Sequence, residues 1–270
     1  MHTVTSKDGT KIAYDRVGQG PSLILVGGAF SYRKFPGLVQ LANLLSAHFT
    51  VYNYDRRGRG DSGDILPYAI NREMEDLQAM IDEAGGSAYV WGLSAGAVLA
   101  LQTAATGANI TKLALHEPPF VVDATGHKPP ENFVKQVSEL ISANRQGEAI
   151  KYFMTKGMGA PSFVVSLMRV MPGVWSKLLA VANTLPYDAA MLDGYMDGKA
   201  LPDKLWDAVT MPTLVIEGTE SPVRLRHGAQ ALASVLPNAR LLSKRGLGHA
   251  KQLDTKKISS ELVAFFMGNC

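Results

Sequence analysis

Cysteine is nearly absent: the only one in 270 residues is Cys270, at the last position. No internal disulfide can form, and a reducing compartment is expected. Long apolar runs are missing as well, and residues 1–8, Met-His-Thr-Val-Thr-Ser-Lys-Asp, carry no apolar signal segment. A membrane-spanning helix needs about 20 consecutive apolar residues, so a cytoplasmic protein with no membrane partner is expected. Neither sign of charge dominates, with 27 basic against 24 acidic residues. The basic residues are scattered rather than interleaved with aromatics along a stripe, which argues against nucleic acid as a partner. Metal-ligand spacing is lacking too. His116-Glu117 with His127 has no second ligand cluster, and Pro118-Pro119 stiffens the turn, so neither metal nor cofactor is expected. Nothing in the pattern specifies an oligomeric state.

What is present is a globular composition, 46% hydrophobic and 19% charged, in a chain long enough for a generous α/β domain or a core with an insertion. Residues 3–6 and 11–14 flank Asp8-Gly9, a hairpin signal. Ser22-Leu23-Ile24-Leu25-Val26 is an unbroken apolar run, as expected of a strand buried on both faces of a parallel sheet. It ends in Gly27-Gly28-Ala29. Strands are also expected at 49–54, 88–91, 112–115, 212–216 and 239–242, with helices at 36–48, 69–84, 97–105, 223–236 and 255–267. Between 120 and 206 only helical patterns occur, at 131–144, 148–156, 162–171 and 174–185, rich in methionine. Alternating strands and helices imply a mostly parallel central sheet with helices on both faces, and ligands bind beyond the carboxyl ends of such strands.

The stretch Trp91-Gly92-Leu93-Ser94-Ala95-Gly96 organises the rest. A strand precedes it, a small-residue helix follows, and G-x-S-x-G lies between. A serine on so tight a turn takes strained backbone angles, and the flanking glycines remove atoms that would clash. The turn lifts Ser94 to a helix N-terminus, where unpaired N–H groups favour developing negative charge. Asp55, Ser94, Glu117, Gly218 to Glu220 and His249 all follow strand ends and should gather on one rim. Asp55, Arg56 and Arg57 are read as structural, with side chains that tie loops together.

The order strand–Gly-Gly, strand–Asp55-Arg56-Arg57-Gly58-Arg59-Gly60-Asp61-Ser62, strand–Gly-x-Ser-x-Gly, helical insertion, strand–Gly, strand–His resembles the α/β-hydrolase superfamily along essentially the whole chain. The resemblance implies a core domain at 1–117 and 207–270 with a helical cap (lid) at 118–206. It implies Ser94 as nucleophile and His249, in a glycine-flanked loop before the last helix, as base. Serine is a poor nucleophile without such a base.

Where the family commonly has an acidic residue, three positions after Gly218, this chain has Ser221. Two replacements are open. Glu117 follows the strand that carries the acid in some members of the superfamily and is the preferred reading; Glu220, one residue early, is the alternative. The oxyanion hole calls for two N–H donors, worth ~3 kcal/mol each. Ala95 and Ala29 are the expected ones, although Gly27 stands where the family often has a histidine that props the loop. The implied activity is cleavage of a small, fairly apolar ester, lactone or thioester through an acyl-serine intermediate. A cofactor-free perhydrolase, or a catalytically weak ligand-binding protein on the same fold, is the alternative.

Overall fold

The computed structural model describes residues 1–249 and 254–268, so Cys270 lies outside the described residues. The chain opens with β1 (His2–Thr5) and β2 (Lys11–Val17), an antiparallel pair turned at Asp8-Gly9. Strands β3 (Ser22–Val26), β4 (Thr50–Tyr54), β5 (Ala88–Leu93), β6 (Ile110–His116), β7 (Thr213–Gly218) and β8 (Ala239–Lys244) complete an eight-stranded sheet. Its order is β1-β2-β4-β3-β5-β6-β7-β8, antiparallel only where β2 pairs with its neighbours. After β3 the chain moves to one side to build β4, then crosses back to build β5 on the other side. Such a reversal opens a crevice at the carboxyl ends of β3 and β5. Ala29 and Ser94 follow those two ends.

Helices α1 (Pro36–Leu45), α2 (Ile70–Glu83) and α3 (Ala95–Ala105) follow β3, β4 and β5. The long connection after β6 holds α4 (Phe133–Ser142), α5 (Gln146–Tyr152), α6 (Ser162–Val170), α7 (Val174–Leu179) and α8 (Leu185–Met191). The last two helices, α9 (Val223–Val235) and α10 (Thr255–Met267), flank β8. Alternation along β3 sorts the core. Leu23 and Leu25 join Leu38 and Leu41 of α1 and Ile258 and Leu262 of α10, whereas Ile24 and Val26 join Leu77, Val98 and Leu232 of α2, α3 and α9. Helix α3 is buried almost all round, packed on β5, β6, α2 and α8, which is why small residues dominate it. No helix among the described residues is long and apolar enough to cross a membrane.

Helices α4 to α8 build a further apolar cluster around Phe133, Val137, Ile150, Phe153 and Leu185, packed against Ala29 and Phe30. Phe120, Met191, Leu192, Leu201 and Trp206, from the same long segment, instead join the cluster of the sheet. Two expected helices differ here. The one at 148–156 starts at Gln146 and loosens into a π-helical turn, Phe153–Gly157. The one at 174–185 stops at Leu179; after a 3-10 turn, Ala182–Thr184, α8 begins with Pro186 in its first turn. Proline has its φ preset for a helix start and needs no hydrogen-bond acceptor for its nitrogen there, so it opens a new helix rather than extending an old one.

Helix α8 is held by charge. Asp188 is completely buried and accepts from Arg56 Nη1 (2.8 Å) and Arg59 Nη2 (2.7 Å). Arg56 also takes Glu73 of α2 side-on (2.6 and 2.7 Å), and Arg57 takes Asp76 in the same way (2.7 Å for both bonds) while reaching Asp8 at 3.0 Å. Asp55 is buried under the Arg33 amide and guanidinium (2.6 and 2.7 Å). The charged loop thus ties the β1–β2 turn, the loop after β3, α2 and α8 together, as expected from the sequence for Asp55 to Arg57. Breaking a buried ion pair from one side strands the other charge. Asp188→Ala is expected to lower the unfolding free energy by about 3–5 kcal/mol, measured by urea denaturation. A loss below ~1 kcal/mol, the range of exposed pairs, would show that the two arginines find other partners.

Candidate active site

Ser94 sits between β5 and α3 with φ 54° and ψ −124°, a conformation that L-residues seldom adopt. The two glycines of the motif are there for space. A Cβ on Gly92 would stand 2.5 Å from the Gly96 carbonyl oxygen, and one on Gly96 would stand 2.3 Å from that of Val26. The turn is pinned where the Ser94 amide donates to the His116 carbonyl at 2.9 Å. Ala95 is the first residue of α3, so its N–H has no intrahelical acceptor.

Glu117 follows β6, also at positive φ (48°), and its amide donates to Ile216 O of β7 at 3.0 Å. Its side chain is 1% exposed. Oε2 lies 2.7 Å from His249 Nδ1, and Oε1 accepts from the Gly218 amide (2.8 Å) and from the Ser221 hydroxyl. Ser221 Oγ in turn accepts from the His249 amide at 3.0 Å. Burial by itself raises the Glu117 carboxyl, but the His249 hydrogen bond, the neighbouring His116 and His249 and the Ser221 hydroxyl outweigh it and hold it at about 2. An ionised carboxylate can only accept, so the proton of that bond belongs on His249 Nδ1, and of the two neutral tautomers this is the one that has its lone pair on Nε2. Burial holds His116 down at about 4, which makes it a neutral neighbour.

The structure therefore stands Glu117 against the histidine. Glu220, the other acid considered, is exposed, its amide bonded to Leu247 O at 3.1 Å. Ser221 occupies the position where the resemblance places an acid, and it bridges the two chain segments, donating to Glu117 and accepting from the His249 amide. Sequence reasoning noticed Ser221 only as a departure and gave it no part in the site. The Gly27 departure is also accounted for. A Cβ at Gly27 would stand 2.3 Å from Ser31 Oγ, and Ser31 Oγ (2.6 Å) and Arg59 Nη1 (2.7 Å) both donate to the Gly28 carbonyl. The loop is propped by these two residues, neither of which the sequence singled out for the task. Ala29 follows in that same peptide unit.

Ser94, His249, Ala29 and Ala95 line one cavity of about 30 Å³, room for a couple of waters. Phe133, Phe153, Met158 and Met196 bring the inserted helices to the same wall, so the site lies between the sheet and that insertion. No cluster of His, Cys, Asp or Glu among the described residues could hold a metal. The other histidines stand elsewhere: His227 Nδ1 meets Asp123 at 2.6 Å, His127 Nε2 meets Lys156 O at 2.7 Å, and His2 stacks on Tyr14.

A serine on a strained turn, a histidine, a buried carboxylate and this sheet order coincide with a known pattern, and a profile of the Alpha/beta hydrolase family matches residues 23–257. The chain belongs to the alpha/beta hydrolase family. A crystal structure of an alpha/beta hydrolase from Sphaerobacter thermophilus is 46% identical, covers 98% of this chain and 100% of its own, and superposes with a TM-score of 0.89. The uncharacterized hydrolase YraK of Bacillus subtilis is 30% identical over 149 residues, 53% of either protein. The polyketide synthase ThaQ of Burkholderia thailandensis is 27% identical over 252 residues, 87% of this chain but 11% of that protein. The chain thus spans about half the length of the first of these curated relatives and about a tenth of the second. Membership in the family supports a hydrolase, and the eight-stranded, mostly parallel sheet agrees with it.

The depressed Glu117 carboxyl carries a pH signature. A carboxylate with a lowered folded pKa stabilises the fold above its ordinary value of 4.5, and the contribution fades as pH falls through about 2. Glu117→Gln leaves buried donors without their charged acceptor and is expected to cost about 1–3 kcal/mol at neutral pH, with the gap to the parent protein closing between pH 4.5 and 2. Urea unfolding of both proteins across that range checks it; an unchanging gap would mean that charge is not its source.

Proposed function

We propose that this protein is a serine hydrolase that cleaves a small, fairly apolar ester, lactone or thioester through an acyl-serine intermediate. The observation that carries the reading is the 2.7 Å contact between Glu117 Oε2 and His249 Nδ1, at the edge of a cavity shared by His249 and Ser94. With Nδ1–H committed to the carboxylate, Nε2 is the free base of the imidazole. It takes the Ser94 hydroxyl proton as Oγ attacks the substrate carbonyl carbon. Glu117 keeps the ring in this tautomer and stabilises the imidazolium that forms. Collapse of the tetrahedral adduct breaks the bond to the leaving group, which picks up the Nε2 proton. A water then repeats the sequence on the acyl-serine, with Nε2 accepting its proton and returning one to Ser94.

The oxyanion is assigned to the N–H groups of Ala29 and Ala95. In a trans peptide the C=O and N–H point in opposite directions. Ser31 and Arg59 grip the Gly28 carbonyl on one side, so the Ala29 N–H of that peptide is directed to the other, and the same bonds polarise it. The Ala95 N–H adds the field of the α3 N-terminus. The helical segment 118–206 acts as a cap in this reading, its apolar residues excluding water from the reaction. Entry of a substrate displaces Met158 and Met196, whose unbranched thioethers adapt easily.

Incubation with a fluorophosphonate is expected to add one phosphonyl group on Ser94, read by intact-mass analysis and peptide mapping. Ser94→Ala should remain unlabelled and lose hydrolysis by roughly 10⁴-fold or more. Ester hydrolysis that survives Ser94→Ala would overturn the assignment. Acceleration that required peroxide together with acetate would favour a perhydrolase instead.

A further inference from the structure

Four arginines of the chain are almost fully buried, Arg33, Arg56, Arg57 and Arg59, and each is matched by at least one carboxylate within 3.1 Å. Arg224, on the first turn of α9, breaks that pattern. It lines the cavity with Ser94 and His249, yet among the described residues it makes no ion pair. Its Nη2 donates to the Met158 carbonyl at 2.8 Å, and its Nη1 is buried with no acceptor among the described residues. Gly126 packs on its stem, where an added Cβ would stand 2.4 Å from the Arg224 Cβ. Burial, with no compensating carboxylate, pushes its pKa down. Among the described residues no Asp or Glu lines the cavity.

Taking a guanidinium out of water without an anionic partner costs several kcal/mol. A fold that neutralises its four almost fully buried arginines leaves this half-buried one, with its Nη1 out of water, unmatched on the wall of the reaction cavity. Both hydrogens of Nη1 and one of Nη2 remain unused, and one from each nitrogen forms the edge that a carboxylate meets with two parallel bonds. A single guanidinium in an otherwise apolar wall suits a monoanion better than a phosphate dianion, which recruits more donors.

We propose that Arg224 is a substrate-binding residue that receives a carboxylate carried by the substrate in addition to the bond that is cleaved. The substrate class is then an ester, thioester or lactone that also bears a free carboxylate: an apolar chain against the aromatic and methionine wall, with one anionic end on α9. This rests on the hydrolase reading above for the reaction, but not for the binding.

The test compares the p-nitrophenyl half-ester of glutaric acid with the uncharged ester in which an isopropyl group replaces the carboxylate. The parent protein is expected to favour the charged ester in kcat/KM by about tenfold or more. Arg224→Gln should bring that ratio close to one, while Arg226→Gln, two residues along α9 and facing Glu217, should leave it in place. Absence of a preference in the parent protein, or its persistence in Arg224→Gln, would overturn the proposal. A binding arm separates it from the hydrolase reading. Calorimetry with monomethyl glutarate on the Ser94→Ala protein should give a Kd that weakens about tenfold or more on adding Arg224→Gln. Binding of this kind without turnover by the parent protein would leave the carboxylate site standing and the hydrolase reading refuted. Binding that ignores Arg224 would refute the site.

Discussion

The buried guanidiniums of the loop after β4 are the interaction on which the rest of the structure depends. Arg56 and Arg59 converge on Asp188 of α8, Arg57 bridges Asp76 of α2 and Asp8 of the first hairpin, and Arg59 reaches the Gly28 carbonyl. One loop thereby sets the position of the helical insertion, of a flanking helix and of the turn beside Ser94. Hydrophobic packing alone is non-directional and would tolerate α8 sliding on the core. Charge pairs in a low-dielectric interior do not tolerate it, because a displaced partner leaves a bare ion. The loop thereby holds α8, α2 and the turn beside Ser94 in one arrangement.

A second constraint is backbone strain gathered at one rim. Ser94 and Glu117 both take positive φ at the ends of adjacent strands, with Ser94 N bonded to His116 O and Glu117 N bonded to Ile216 O. Each such conformation costs on the order of 1–3 kcal/mol and persists only where its surroundings over-determine it. The parallel register of β5, β6 and β7 provides that: each strand end is hydrogen-bonded to the next, so the turns have nowhere to relax. Ser221 then closes the circuit between the turns after β6, β7 and β8. A hydroxyl can donate to Glu117 and accept from the His249 amide at once, whereas a second carboxylate there would repel the first.

The cavity wall combines these two constraints with an apolar insertion. Its lining is aromatic and methionine-rich, which lowers the local dielectric and strengthens every charge–dipole interaction within it. In that setting the Glu117–His249 pair, the amides around Ser94 and the unmatched Arg224 each exert more force than they would in water.

The elements that the sequence alone determined are those with local causes. Ser22–Val26 is a strand because its run of apolar residues suits a sheet covered on both faces, and Thr255–Met267 is a helix because its apolar spacing repeats at 3.6 residues. Gly92 and Gly96 announced the turn at Ser94, because only glycine fits between strand and helix there. His249 stood out by its glycine-flanked place and a family resemblance, and the fold sets it on the same cavity as Ser94. Glu117 was the preferred acid from its place after β6, but Glu220 stayed open, because both lie on turns at strand ends and what separates them is where three loops meet in space. The same holds for Asp188, Ser31, Arg59 and Arg224. Each is an ordinary residue in its local stretch, and its role comes from partners distant in the chain, as with the 129 positions between Arg59 and Asp188. Local sequence settles backbone conformation through sterics and periodicity. Which charges end up paired, and which one is left open, is decided only when the tertiary fold removes water from around them.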